Sequence, residues 1–394
     1  MDYIKITLKP GKEDSFHRFH PWVFSGAIYR FEKQPEEGDI VEVTDHQGNF
    51  IGIGQYQIGS IAVRILTFKQ EEINEQFYFK RLQEAYNVRL SLGLLNGEYN
   101  NTCRLVHGEG DNLPGLIIDL YNKTAVMQAH TPGMHYARHQ IAQALKSVLR
   151  NAIDNIYYKS ETTLPYKAEL DAENEYLLGG DAPNIATENG LKFYVDWVRG
   201  QKTGFFVDQR ENRALLERYA HGRSVLNMFC YTGGFSFYAM RSNAKLVHSV
   251  DSSSKAIDLT CKNVELNFPG DNRHQAFAED AFKFLDTMGD QYDLIILDPP
   301  AFAKHKKVLN NALQGYRKLN AKAFEKIRPG GILFTFSCSQ VVSKENFRLA
   351  VFSAAAQSGR NVRILHQLTQ PADHPVNIYH PEGEYLKGLV LYVE

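Results

Sequence analysis

The sequence predicts an α/β protein whose C-terminal part is a sheet of six parallel strands plus one antiparallel strand, preceded by a small β-barrel and a small α+β domain. Three observations predict it. Residues 1–70 alternate short apolar runs with turn signals, at the spacing of a small barrel or sandwich. From Phe205 onward, strand-like and helix-like runs alternate strictly, which is the pattern of a parallel sheet with helices on both faces. That rhythm breaks at the end, where the polar loop Gln370–Glu384 leads into the apolar run Leu386–Val393, which can return only as an antiparallel neighbour.

In chain order, the first region (1–70) has strand patterns at Ile4–Leu8, Val23–Tyr29, Asp39–Val43, Phe50–Tyr56 and Ile61–Phe68. Within it, His20-Pro21-Trp22-Val23-Phe24-Ser25-Gly26 is unusually aromatic. Trp22 and Phe24 read most simply as barrel core, and alternatively, with Arg18, His17 and His20, as a surface that meets RNA. The second region (71–192) opens with a helix over Asn74–Leu92 that ends at Gly93. Strands follow at Cys103–Val106, Leu116–Leu120 and Ala125–Ala129, then a helix over Tyr136–Leu149 and a strand at Ile156–Lys159. The Gly108-Glu109-Gly110-Asp111 turn reads as a plain hairpin loop.

The third region (193–394) carries the alternation. Its strands are expected at Val225–Phe229, Leu246–Val250, Arg273–Ala278, Leu294–Leu297, Ile332–Phe336 and Val362–Leu368, with helices near 235–241, 254–266, 281–287, 308–327 and 342–357.

Composition narrows the function. The 394 residues carry 44 basic and 45 acidic side chains, so no global field advertises nucleic acid and any RNA contact must be local. Cys103, Cys230, Cys261 and Cys338 form no Cys-x-x-Cys pair and no Cys/His cluster with zinc spacing, so reduced thiols and no metal are expected. No signal peptide and no membrane-length apolar run are found, and a cytoplasmic protein is expected.

The chemistry sits at predicted strand ends, where ligands bind in open α/β sheets. Asn227-Met228-Phe229-Cys230-Tyr231-Thr232-Gly233-Gly234-Phe235-Ser236 puts two glycines in the first strand-to-helix turn, where only glycine lets a ligand lie against the backbone. It is not the Gly-x-Gly-x-x-Gly that accompanies a pyrophosphate. Asp251 ends the second strand, placed to accept ribose hydroxyls, and Asp280 ends the third, within reach of an adenine amino group. Taken singly, each acid is equally well a helix N-cap. Recurring at successive strand ends, they describe a site for a nucleoside without phosphate, which S-adenosylmethionine fits. Asp298-Pro299-Pro300-Ala301-Phe302 and Phe336-Ser337-Cys338-Ser339 would end adjacent parallel strands, so that a carboxylate and a thiol face one pocket. Most free cysteines are small buried hydrophobes. Cys338, flanked by serines just past an apolar strand, has no obvious core to fill and reads as a nucleophile.

In these motifs the chain resembles the class I S-adenosylmethionine-dependent methyltransferases, and within them the bacterial 23S ribosomal RNA cytosine-5 methyltransferases that carry an N-terminal PUA domain. The resemblance rests on His20–Gly26, Gly204-Phe205-Phe206-Val207-Asp208-Gln209-Arg210, the Asn227–Ser236 loop, Asp298–Phe302, Ser337-Cys338-Ser339 and Glu384-Tyr385-Leu386-Lys387-Gly388. It implies that Gly233, Asp251, Ser252, Asp280 and Ala281 hold the cofactor together with Phe229, Tyr231 and Asp298, and that Gln209 and Arg210 close over its methionine end. It implies large-subunit ribosomal RNA as partner, met by Arg18, His20, Trp22 and Lys304, and a homodimer in some members. Cys338 would be the nucleophile at C6 of cytosine and Asp298 the group that hydrogen-bonds the base. The sequence departs from many RNA cytosine-5 methyltransferases in reading Pro300-Ala301 where they carry a second cysteine. The base for the C5 proton is therefore unassigned, with Lys304, His305, Asp373 and His374 as candidates by location.

Two other readings compete. Asp-Pro-Pro also opens the motif of amino-nitrogen methyltransferases, although these place an aromatic directly after the second proline, where Ala301 stands. A non-catalytic RNA-binding assembly factor would keep the fold without turnover.

Overall fold

The computed structural model describes residues 3–165, 170, 173–180 and 182–394. The chain divides into two compact units, one made of residues 1–190, 195–207 and 372–383, the other of 191–194, 208–371 and 384–394.

The first unit begins with β1 (Ile4–Leu8), a short α1 (Asp14–His17), β2 (Trp22–Phe24), β3 (Ile28–Phe31), β4 (Ile40–Thr44), β5 (Phe50–Tyr56) and β6 (Ile61–Thr67). These form a six-stranded sheet in the order β2-β6-β5-β4-β1-β3, in which β1 and β4 run parallel. Alternate side chains of the strands, including Ile6, Leu8, Val41, Val43, Val63 and Ile65, form one buried core, as the period of two requires. The strand expected over Val23–Tyr29 is broken: Ser25–Ala27 forms a single 3-10 turn between β2 and β3. Ser25-Gly26 turns the chain there, so β2 pairs with β6 and β3 with β1 at opposite edges of the sheet.

The unit continues with α2 (Glu75–Ser91), whose N-cap Asn74 accepts from the Phe77 N–H at 3.1 Å. Then come β7 (Thr102–His107), β8 (Leu116–Tyr121), β9 (Thr124–Ala129), α3 (Pro132–Tyr136), α4 (Arg138–Leu149), β10 (Asn155–Tyr158), β11 (Glu175–Leu178) and β12 (Ile185–Glu188). Strands β7 to β11 form a five-stranded sheet in sequential order, with α2 and α4 sharing its core. The helix expected over Tyr136–Leu149 is two elements, because Thr131 caps a separate turn that starts at Pro132.

The second unit takes β13 (Leu191–Tyr194), α5 (Arg210–Ala220), β14 (Ser224–Met228), α6 (Gly234–Arg241), β15 (Leu246–Asp251), α7 (Ser254–Asn267), β16 (His274–Ala278), α8 (Ala281–Thr287), β17 (Leu294–Leu297), α9 (Leu309–Lys326), β18 (Gly331–Ser337), α10 (Lys344–Ser358), β19 (Val362–Thr369) and β20 (Lys387–Val393). Seven strands, β14 to β20, form the sheet in the order β16-β15-β14-β17-β18-β20-β19. Strand β20 runs antiparallel to both neighbours and sits between β18 and β19. The chain starts in mid-sheet, builds outward through β15 and β16, then crosses back to β17 beside β14. That reversal is the topological switch point, where the turns leaving neighbouring strands part and open a crevice.

Candidate active site

One wall of the crevice is the turn from β14 to α6. Phe229 (φ 58°) and Tyr231 (φ 48°) both lie in the left-handed region, and Gly233 follows at φ 86°. A side chain pays roughly 1–3 kcal/mol to sit there, so the turn must be over-determined by its surroundings. It is. The Cys230 N–H donates to Val250 O at 3.0 Å, Thr260 Oγ1 donates to Tyr231 O at 2.9 Å, and Asn263 Nδ2 donates to Thr232 O at 3.2 Å. A Cβ on Gly233 would come within 2.7 Å of both the Phe237 ring and the Thr260 methyl, so glycine is demanded by space as well as by φ.

Half-exposed Asp251 stands at the end of β15 and accepts the Tyr231 N–H at 2.9 Å on one oxygen and the Ser253 N–H at 2.9 Å on the other. Each oxygen keeps a second lone pair, so the carboxylate is oriented by the backbone and still able to accept two hydroxyls. Ser252 is exposed beside it. Asp280 is an exposed N-cap, accepting from the Lys283 N–H at 3.0 Å, with Ala281 buried as the first residue of α8.

The opposite wall comes from β17 and β18, which are adjacent and parallel as expected. Half-exposed Asp298 accepts from Gln209 Nε2 at 3.0 Å, and Asn212 Nδ2 donates to the Gln209 carbonyl at 2.6 Å. The second bond fixes which end of the Gln209 carboxamide faces the acid. Expected at the methionine end of the cofactor, buried Gln209 is thus bound to Asp298, and Arg210 beside it is buried at the start of α5.

Half-exposed Cys338 has its Sγ 3.9 Å from Pro299 O. Ser339 Oγ donates to Ala303 O, so the turn after β18 is tied to the turn after β17. Buried Tyr316 of α9 lies beneath both: its hydroxyl accepts from Ser337 Oγ at 2.9 Å. Burial pushes that hydroxyl up to about 12, with negative charge on Cys338 and on Asp298 adding to the effect. The thiol and the carboxylate therefore act on one buried group from two strand ends.

Sequence reading missed Lys387. It opens β20 directly opposite Ser337, is 6 % exposed, and donates from Nζ to Ser339 O and Val342 O, both at 2.6 Å. Burial lowers its amine to about 8 against the opposing pull of Cys338. The signal was a single lysine inside an otherwise apolar strand run.

Of the base candidates, Lys304 and His305 are exposed in the turn after Asp298. Asp373 and His374 lie in residues 372–383, which belong to the first unit, and both side chains are fully buried there. His374 Nδ1 and Asp373 Oδ1 are 2.9 Å apart, Asp373 Oδ2 accepts the Arg104 N–H at 3.0 Å, and Asp373 O accepts from Arg89 at 2.8 Å. The Gly108–Asp111 turn also does more than join strands, since Asp111 pairs with buried Arg89 through both oxygens.

Among the residues expected to meet RNA, Arg18 is exposed and donates to Asp14 O at 3.3 Å. Trp22 is half-buried, its indole N–H donated to Glu109 at 2.8 Å and its ring 4.3 Å from that of His380. His20 is half-buried and accepts the Trp22 N–H at 3.3 Å. Exposed aromatic rings nearby include Phe19 and Phe24, 48 % and 47 % exposed, and Tyr379, 49 % exposed with its ring 5.3 Å from that of Phe19.

A family described as S-adenosylmethionine-dependent methyltransferase matches residues 154–381, and a PUA-like domain matches residues 6–68. Proteins named ribosomal RNA large subunit methyltransferase I are similar over the whole chain: that of Tolumonas auensis is 41% identical, covering 98% of each chain, and that of Shewanella amazonensis is 39% identical, covering 99% of each. A solved protein from Streptococcus mutans shares the fold at a TM-score of 0.84 and 23% identity, over 99% of this chain and 100% of the other. Among the described residues, no helix is long and apolar enough to cross a membrane.

Proposed function

The chain belongs to the S-adenosylmethionine-dependent methyltransferase family, with a PUA-like domain at its N-terminus, and from that premise we propose that it methylates C5 of a cytosine in large-subunit ribosomal RNA through a Cys338 thiolate. The substrate class follows the name its full-length relatives share. The mechanism is carried by one observation: Asp298 and Cys338 stand at the ends of adjacent parallel strands, with Cys338 Sγ 3.9 Å from the carbonyl of the residue after Asp298.

The donor set suits the cofactor. Asp251 keeps one free lone pair on each oxygen for a ribose, and the left-handed turn at 229–233 presents backbone with no room for a Cβ at Gly233. Ser252, Asp280 and Ala281 belong to the same wall. S-adenosylmethionine supplies a methyl group made electrophilic by its sulfonium. Cytosine C5 is too weak a nucleophile to take it unaided. Addition of the Cys338 thiolate forms an S–C6 bond and moves the C5–C6 π pair onto C5, splitting one high barrier into two lower ones. Asp298, oriented by Gln209, hydrogen-bonds the base near N3 and N4, where charge develops as the thiolate adds. The C5 pair then forms the bond to the methyl group as the methyl's bond to the sulfonium breaks; a base takes the C5 proton, the C5–H pair re-forms the C5–C6 double bond, and the S–C6 bond breaks to return the thiolate. C6 is inaccessible in a stacked helix, so the target nucleotide is flipped out or lies in a loop.

RNA contact through Arg18, His20, Trp22 and Lys304, the division at residues 70 and 192, a cytoplasmic location and a homodimer belong to the same proposal; light scattering checks the last. The central test incubates the protein with tritiated S-adenosylmethionine and ribosomal RNA from a strain lacking the enzyme, then identifies the labelled nucleoside. Label in 5-methylcytidine supports the reading. Label in an N-methylated nucleoside contradicts it.

A further inference from the structure

We propose that Lys387 is a positioning residue for Cys338, its buried ammonium holding the strand-end turn in place and favouring the thiolate. This rests on the reading of Cys338 as the nucleophile. The antiparallel pairing puts Lys387 directly across from Ser337, the residue before the cysteine. Its Nζ reaches past that pair to the carbonyls of Ser339 and Val342, at 2.6 Å each, so the turn that carries the thiol is fastened on its far side. An ammonium has three N–H donors, and these two carbonyls take two. The charge of Cys338 also acts on the same ammonium.

The charges around the pair point the same way. Cys338 acts on Lys387 in the sense of keeping it protonated, as does Glu384, while Lys344 on α10 opposes. Lys344 is itself paired with Glu384 at 2.7 Å, so the two largely cancel. Also near the thiol are Asp298, just past β17, whose negative charge disfavours a thiolate, and Tyr316 on α9, whose hydroxyl burial pushes up to about 12. Lys387 is then the cation set against Asp298 in deciding the state of Cys338. A buried amine that only stabilised the fold would be replaceable by any group that donates to the two carbonyls. One that sustains the thiolate must keep its charge.

The test reads the thiol directly. In a Cys261→Ser background, which removes the exposed cysteine, the rate of iodoacetamide alkylation at Cys338 is followed against pH by peptide mass spectrometry, for the parent chain and for Lys387→Gln, Lys387→Met and Lys387→Arg. Cofactor affinity, measured in parallel, reports folding. In the parent chain the midpoint is expected below the ordinary thiol value of about 8.5. Lys387→Gln keeps an N–H donor but no charge, and its midpoint should rise by about one unit or more, with labelling at pH 7 falling about tenfold. Lys387→Arg should stay near the parent. An unshifted Lys387→Gln profile with cofactor binding intact would overturn the proposal, and so would a parent midpoint at or above the ordinary thiol value, which needs no variant. Alkylation does not depend on methyl transfer. A shifted profile beside a fully active Cys338→Ala enzyme would therefore sink the nucleophile and leave the Lys387 coupling standing.

Discussion

Two strand ends of the second unit each present a cysteine, and the surroundings of the two thiols differ. Cys230, after β14, is buried, and burial followed by the nearby charge of Asp251 pushes its thiol far up. Cys338, after β18, is half-exposed, and the cation of Lys387 lies across the strand pair. Position at the carboxyl end of a strand is common to both and decides nothing. What separates a packing thiol from a reactive one is the sign of the neighbouring charge and the access of water. Cys230 serves the turn it sits in, where its N–H donates to Val250 O and its carbonyl accepts the Gly233 N–H.

The comparison breaks most visibly if Cys338 is dispensable. Cys338→Ala should lower methyl transfer by at least about a thousandfold, measured as label incorporated into ribosomal RNA, while the same change at Cys230 should act through cofactor affinity. A Cys338→Ala enzyme within tenfold of the parent would erase the distinction between the two thiols. Next in size, Asp298→Asn keeps the shape but removes the charge and turns an acceptor towards donation, conflicting with the Gln209 N–H. Loss of a positioned group that meets developing charge costs on the order of a hundredfold in kcat, and single-turnover rates with saturating cofactor would show it.

The turn after β14 gives a third, smaller effect. Asp251→Asn weakens a charge-assisted bond to the Tyr231 N–H and one to the Ser253 N–H, and should raise the cofactor Kd about tenfold or more, read by calorimetry. If affinity holds, the left-handed turn does not depend on that carboxylate.

The smallest effect is a pH dependence. Lys387 titrates at about 8, below the ordinary 10.5, because it is buried. Between those values the folded protein has released a proton that the unfolded chain still holds, so this group makes stability rise with pH across that window, and its burial cost is fully present below it. Activity should run the other way, falling severalfold as the ammonium is lost through pH 8. Urea unfolding and initial rates on the same samples separate the two trends, and Lys387→Gln should abolish both.

Much of this arrangement was legible in the chain. Apolar runs ending in Asp298 and in Ser337-Cys338 announced adjacent strands, because a parallel strand buried on both faces must be apolar until it emerges. The reversed strand followed from the missing helix before Leu386, although its place between β18 and β19 did not, since pairing order is a tertiary choice. Asp251 and Asp280 could be located at strand ends, while only the structure separates an oriented carboxylate from an N-cap. Lys387 was hidden because a lysine in a strand reads as a solvated edge residue, and its burial depends on carbonyls that a turn far away in sequence brings to it. The burial of Asp373 and His374 was hidden for a related reason. Their polar loop is bound by Arg89 and Arg104, more than two hundred residues upstream, and local composition carries no trace of such partners.

The thiolate mechanism is tested most directly by trapping it. With ribosomal RNA carrying 5-fluorocytidine, the C5 position holds no proton to release, so addition and methyl transfer leave the S–C6 bond in place. A covalent protein–RNA complex that forms only with S-adenosylmethionine, maps to Cys338 by mass spectrometry and is absent from Cys338→Ala is the predicted result. Turnover on unmodified RNA with no trapped complex, or a crosslink mapping to another residue, would contradict it.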